Sequence, residues 1–186
     1  MAIVLETDRL ILRRVTDADF DQFVELDSDP EVTFFITGGP PEFDASMLHG
    51  WLGQYERWPA YGTFAAVERA TGDLLGWFHL RPEDGHTDEP ELGYRLRRDA
   101  WGKGYATEGS RALVDKAFGE LGATRVWAGA MAVNAASRRV MEKAGLRFVR
   151  LFQADWPCKI PGDEHGDVEY AITREEWLDR RDGPGQ

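Results

Sequence analysis

The sequence predicts a mixed β-sheet with helices on its faces, an α/β (α+β) domain. Three observations carry this. Short aliphatic or alternating runs interleave with longer segments whose apolar residues recur at spacings of three and four. Glycine, proline and small polar residues separate these segments with short connections. The length, 186 residues, suits about one domain, and a chain of this size can bury roughly 70% of its unfolded surface. One unit is expected over residues 1–181, with 182–186 as a frayed tail.

Arg9-Leu10-Ile11-Leu12-Arg13 opens the chain with strand character. Thr16 or Asp17 can then cap a helix carrying Phe20, Phe23, Val24 and Leu26. Gly38-Gly39-Pro40-Pro41 marks a loop. Residues 43–58 read as a helix, with Met47, Leu48, Trp51, Leu52 and Tyr55 at helical spacing. Strands are expected at 62–68 and 74–80, joined by the turn Thr71-Gly72-Asp73. A loop over 82–90 leads to a strand at 91–96, where Leu92, Tyr94 and Leu96 alternate. A helix over 104–121 and a strand over 124–131 come next. Asn134 caps a helix running to Lys143, and Gly145 stands where a left-handed residue ends it. Strands over 146–152 and 167–172 follow. Thr173 caps a last helix to Arg181, with Glu175 and Glu176 in its first turn.

Composition excludes several function classes. Lys+Arg is 22 and Asp+Glu 33, a net charge of −11; such a chain repels a nucleic-acid backbone and favours a cationic partner. No apolar run of 18 residues occurs, so no membrane partner is expected, and the cytoplasm is the expected location. Cys158 is the single cysteine, which excludes an internal disulfide framework and a multi-cysteine zinc site. His49, His79, His86 and His165 lack metal-ligand spacing, so no metal is expected. No Gly-x-Ser-x-Gly elbow offers a hydrolase nucleophile.

The sharpest local feature is Arg97-Arg98-Asp99-Ala100-Trp101-Gly102-Lys103-Gly104-Tyr105-Ala106-Thr107-Glu108, between an expected strand and an expected helix. Glycines let the backbone turn tightly there, and the helix start offers free N–H groups and a partial positive charge suited to phosphate. A Walker A loop is excluded because Gly104 follows Lys103. A dinucleotide fingerprint lacks its third glycine, replaced by Thr107.

Further on come Val133-Asn134-Ala135-Ala136-Ser137 and Met141-Glu142-Lys143-Ala144-Gly145-Leu146-Arg147-Phe148. With Thr7-Asp8-Arg9-Leu10-Ile11-Leu12-Arg13, Glu91-Leu92-Gly93-Tyr94, the glycine turn and Glu169-Tyr170-Ala171-Ile172-Thr173, this ordered set resembles the GNAT superfamily of N-acetyltransferases, in its ribosomal-protein (Rim-type) branch. The resemblance implies a mixed, mostly antiparallel sheet splayed at one strand pair, with acetyl-CoA as co-substrate in the split. It implies that the backbone of Trp101, Gly102, Lys103, Gly104, Tyr105, Ala106 and Thr107 holds the pyrophosphate. The edge of Tyr94, Leu96 and Arg97 would pair with the pantetheine arm, and Asn134 would bond pantetheine or the incoming amine. Asp99 departs from the family pattern; Arg97, Arg98 or Lys103 is expected to compensate its charge. Family members are often homodimers.

Acetyl transfer to an amine requires a base, a polarised carbonyl and a stabilised thiolate. Glu91, which opens the strand lining the acetyl group by resemblance, is the expected base, with Glu89 as its alternative. Glu108 is read as stabilising the helix start. For the acid, Met141 occupies the position where many relatives have tyrosine, which leaves Ser137. Two acidic runs, Glu83 to Glu91 and Asp163 to Glu169, are expected to frame an entrance for a cationic amine; Phe34, Phe35 and Trp156 are candidate walls, whereas Trp51 and Trp58 are read as core. The reading is an acetyl-CoA-dependent N-acetyltransferase acting on a primary amine, a protein N-terminus or a small cationic amine. The competing reading, motivated by Asp99 and Met141, is a non-catalytic acyl-CoA-binding module on the same fold.

Overall fold

Among the described residues eight strands form a single sheet in the order β1-β2-β3-β4-β5-β6-β8-β7, and only the β5/β6 pair is parallel. The computed structural model describes residues 2–39, 43–83, 85–154 and 159–182. The strands are β1 (Ile3–Glu6), β2 (Leu10–Arg14), β3 (Gly62–Glu68), β4 (Leu74–Glu83), β5 (His86–Leu96), β6 (Arg125–Met131), β7 (Arg147–Phe152) and β8 (Asp167–Thr173). The helices are α1 (Phe20–Ser28), α2 (Pro30–Thr37), α3 (Ala45–Arg57), α4 (Tyr105–Gly119), α5 (Ala135–Ala144) and α6 (Arg174–Asp182).

Most expected elements form where local chemistry puts them. Asp44 caps α3, accepting from the Met47 amide. Asn134 caps α5, accepting from the Ser137 amide, and Gly145 ends that helix at φ 104°. Three expectations need correction. The strand β1 pairs with β2 and precedes the first strand read from the sequence. Helix α2 was missed, although Asp29 caps it through the Glu31 amide and Pro30 occupies its first turn. The expected loop over 82–90 is a hairpin: β4 runs on to Glu83 and β5 begins at His86. Pro82 is tolerated because the register shifts between Arg81 and Glu83, and because β4's pairing with β3 stops at Leu80.

Strand alternation sends side chains to two cores. Leu10, Leu12, Phe64, Phe78, Leu80 and Leu92 pack with Leu113 and Phe118 of α4. Full burial of each such side chain stabilises by about 1.5–3 kcal/mol. On the opposite face Phe23, Phe43, Leu48 and Trp51 form a second cluster under α1 and α3. Trp51 is thus core, as expected, and Trp58 packs partly buried on the first cluster. Trp156 and Cys158 lie outside the described residues.

Candidate active site

The cleft lies where β5 and β6 part. The two strands meet at their N-terminal ends, where the Thr124 amide donates to Asp88 O at 2.8 Å. Their one registered pair is Glu91 with Trp127. Beyond it, Tyr94 and Leu96 form one lip, and Gly129 and Met131 the other, of a cleft of about 780 Å³.

Backbone alternation fixes which amides face this seam. The Arg97 amide donates to Leu75 O of β4 at 2.8 Å. In an antiparallel ladder neighbouring residues point opposite ways, so Tyr94 and Leu96 turn their peptide groups to the seam and Arg97 does not. The Leu96 carbonyl is already met by Trp101 Nε1 at 2.8 Å.

The turn after β5 leads to an unusual helix start. Gly104 caps α4 in the left-handed region, φ 88°, and among the described residues no side chain caps the helix. The first amides of α4 therefore keep their donors available. The turn is pinned from the β1–β2 side. Arg9 donates to Lys103 O at 2.9 Å and to Glu108 at 2.6 Å, and its guanidinium lies 4.5 Å over the Tyr105 ring. Thr7 also donates to Glu108 at 2.6 Å. Glu108 thus ties the helix start to the sheet, as its sequence reading held.

Of the candidates, Glu91, Tyr94, Leu96, Trp101, Gly102, Gly104, Tyr105, Ala106, Thr107, Asn134 and Ser137 line the cleft. Arg97 and Lys103 do not. Arg97 pairs with Asp99 at 2.6 Å and, with Arg98, lines a separate, smaller pocket. Arg98 pairs with Asp29 at 3.4 Å and with Glu31. The positive charge at the cleft comes instead from Arg95, Arg139 and Lys143. Arg139 and Lys143 were legible: with Ala136 and Val140 they follow the three-and-four spacing of one α5 face.

Parity divides the chemistry between the two faces of the sheet. Tyr94 and Leu96 point to the α4/α5 side; Glu91 and Arg95, odd-numbered neighbours, point to the other. On the α4/α5 side the Tyr94 hydroxyl lies 3.0 Å from both the carbonyl and the hydroxyl oxygen of Ser137. Burial pushes the Tyr94 phenol up to about 12, against a smaller opposing effect of the Ser137 hydrogen bond. Tyr94 is therefore a protonated donor at any working pH, a role the sequence reading did not give it. Met141 is buried among core residues and takes no part.

On the other face Glu91 is ion-paired. Arg81 meets its Oε2 through Nε at 2.8 Å and Nη2 at 2.7 Å. Among the described residues no partner meets Oε1. Glu89, the alternative, is turned to Arg125 at 3.2 Å. Glu83 and Asp167 also line the cleft. Glu169 is held by Arg150 at 2.7 Å and by Arg125, and Glu164 lies 3.5 Å from His165, so the acidic runs reach the cleft only in part. Phe35 lines it, with Phe34 edge-on at 5.0 Å. Among the described residues no group of three His, Cys, Asp or Glu side chains could hold a metal, and no helix is long and apolar enough to cross a membrane.

Comparison with known proteins places this geometry. The acetyltransferase (GNAT) domain family matches residues 9–147. The FsC-acetyl coenzyme A-N(2)-transacetylase of Aspergillus fumigatus is 39% identical over 184 residues, covering 94% of this chain and 77% of its own. An acetyltransferase (GNAT family) structure from Bacillus anthracis superposes with a TM-score of 0.74 at 26% identity, over 94% of this chain and 99% of that one. Spermidine N-acetyltransferase from Vibrio cholerae, solved with CoA and spermine, shares the fold at TM-score 0.76 and 16% identity, over 92% and 99%.

Proposed function

The chain belongs to the GNAT acetyltransferase family, whose members use acetyl-CoA, and from that membership we propose that it acetylates a primary amine by direct attack on the thioester. One observation carries the reading: an unzipped strand edge runs directly into a helix start that no side chain caps. An extended amide-bearing arm ending in phosphates fits such a site, because the edge offers peptide partners and the helix start offers N–H donors. Tyr94 and Leu96 would hold the arm, the backbone from Trp101 to Thr107 the pyrophosphate, Asn134 the arm or the amine, and Arg139 with Lys143 the remaining negative charge.

In this reading the two proton transfers lie on opposite faces of the sheet. On the acceptor face, the free Oε1 of Glu91 takes the proton of the incoming ammonium. The amine nitrogen then bonds to the acetyl carbon and gives up its second proton to solvent, and the carbon–sulfur bond breaks. The leaving thiolate takes its proton on the opposite face, from the Tyr94–Ser137 hydroxyl pair, which solvent recharges. That pair supplies the donor whose apparent lack at Met141 favoured a non-catalytic module. The name of the Aspergillus relative specifies a nitrogen acceptor, and Glu83, Glu91 and Asp167 on the lining suit a cationic one.

The test begins with thermal unfolding in excess acetyl-CoA, CoA, ATP or NAD. A ligand at 100 times its Kd stabilises by about 2.7 kcal/mol. Stabilisation by the two CoA species alone supports the reading; no shift with either removes it. Thiol release across primary amines, from amino-acid esters to diamines, then identifies an acceptor, against which Glu91→Gln loses turnover while its acetyl-CoA affinity stays intact.

A further inference from the structure

Beside Glu91 sits a side chain that this mechanism does not use. His79 of β4 is 8% exposed, and its Nε2 lies 3.5 Å from Glu91 Oε2, the oxygen that Arg81 also holds. Its ring stacks on Trp77, with centroids 5.4 Å apart and planes at 20°. The imidazole lies across the backbone of Gly93, its cross-strand partner. A Cβ on residue 93 would fall 2.3 Å from Nε2, closer than real Cβ atoms come to any neighbour. The glycine of Glu91-Leu92-Gly93-Tyr94 is thus the space in which the histidine lies.

The charges facing this ring are Arg81, Glu91 and Arg95, with Arg95 paired to Asp27 of α1. Burial first, then Arg81 and Arg95, push His79 well below its ordinary range, so the ring is neutral. Among the described residues Nε2 has no hydrogen-bond partner. A lone pair on it would face a carboxylate oxygen and be repelled, so the proton belongs on Nε2. We propose that His79 is a positioning residue for Glu91: Arg81 holds Oε2, the Nε2–H of His79 turns its positive end to the same oxygen from 3.5 Å, and the two together aim Oε1 at the acceptor amine. The inference rests on Glu91 as base.

Two measurements test it. Long-range ¹⁵N–¹H spectra of the histidine rings, with His79 identified by its loss in His79→Gln, read the tautomer without any acceptor. A neutral Nε2–H ring whose Nε2 signal moves in Glu91→Gln supports the pairing; an Nδ1–H ring, or no movement, overturns it. Kinetics with the amine selected above read the role. In His79→Leu kcat is expected to fall about tenfold with both KM values unchanged, and the donor-bearing His79→Gln recovers most of the loss. Gly93→Ala, which displaces the ring, follows His79→Leu. Folding of each variant is controlled by its melting temperature and its acetyl-CoA affinity. Full kcat in a folded His79→Leu, with Glu91→Gln inactive, overturns the inference and leaves the base in place. Full kcat in Glu91→Gln removes the base itself.

Discussion

Asp27→Ala should be among the most damaging substitutions outside the cleft chemistry. The Asp27–Arg95 pair joins α1 to the lip of β5, and the two side chains are only 2% and 7% exposed. Asp27 also accepts from the Phe43 amide at 3.1 Å, and the Arg95 guanidinium lies 5.3 Å over Trp77. Alanine would leave a buried guanidinium and a buried amide unpaired. Breaking one half of such a pair costs about 3–5 kcal/mol, a large part of the about 5–15 kcal/mol that holds a domain together. At about 2–4 °C per kcal/mol for a chain of this size, the melting temperature should drop by about 6–20 °C. Scanning calorimetry measures the drop. The double variant Asp27→Leu/Arg95→Met should recover most of it, because replacing both charges by apolar groups removes the unpaired one. A drop below about 3 °C in Asp27→Ala, or a double variant no better than the single, would refute the reasoning.

Three further outcomes are expected. Tyr94→Phe should lower kcat by about 10²-fold, the lower end of acid catalysis, with little change in the KM for acetyl-CoA; stopped-turnover thiol assays read both. Arg139→Ala/Lys143→Ala should raise the KM for acetyl-CoA several-fold and flatten its salt dependence, since exposed charges act through a screened field, while kcat stays unchanged. Acid should unfold the chain through three carboxylates. Burial raises Asp19, Glu108 and Glu169, but hydrogen bonds from Arg13 and Thr16, from Thr7 and Arg9, and from Arg150 and Arg125 outweigh it and hold all three below the usual range. Between the lowered folded values and the ordinary range near 4, the unfolded chain binds more protons, so this stability is complete above about pH 4–4.5 and is lost as pH falls through the folded values. Melting temperatures against pH check this, and Arg13→Met should shrink the acid-side slope.

Much of the architecture was legible because local and long-range preferences agree. The cap at Asn134 with Gly145 after it, and the Thr71-Gly72-Asp73 turn, are backbone chemistry written in short windows. The failures are where they conflict. In α2 the β-branched and aromatic run Val32-Thr33-Phe34-Phe35-Ile36 lacks helix formers, and only the Asp29-Pro30 start and the left-handed Gly38 end reveal a helix. Pro82 and Pro90 suggest a loop, yet a bulge absorbs the first. At the site, the family resemblance carried the cleft-lining set, but pairing partners are tertiary facts. Arg97 was a candidate to offset Asp99, but its chain neighbourhood does not say that the pair forms outside the cleft. Nothing near Glu91 says that His79, twelve residues earlier, will lie against its carboxylate. Tyr94 was read for its backbone, and its hydroxyl gained meaning only when α5 brought Ser137 to it.

The parted β5 and β6 strands set a limit on how this protein can be improved. Ordinary rules for strengthening a sheet would close the seam: a branched side chain in place of Gly129, and a full ladder past Glu91 and Trp127. A sequence optimised for stability alone would zip those strands together and gain a more robust, inert domain. The missing rungs are therefore stability that selection for catalysis leaves unclaimed. Thermostabilising substitutions should be sought in the outer strands and helix caps, well away from the two strands that have to stay apart.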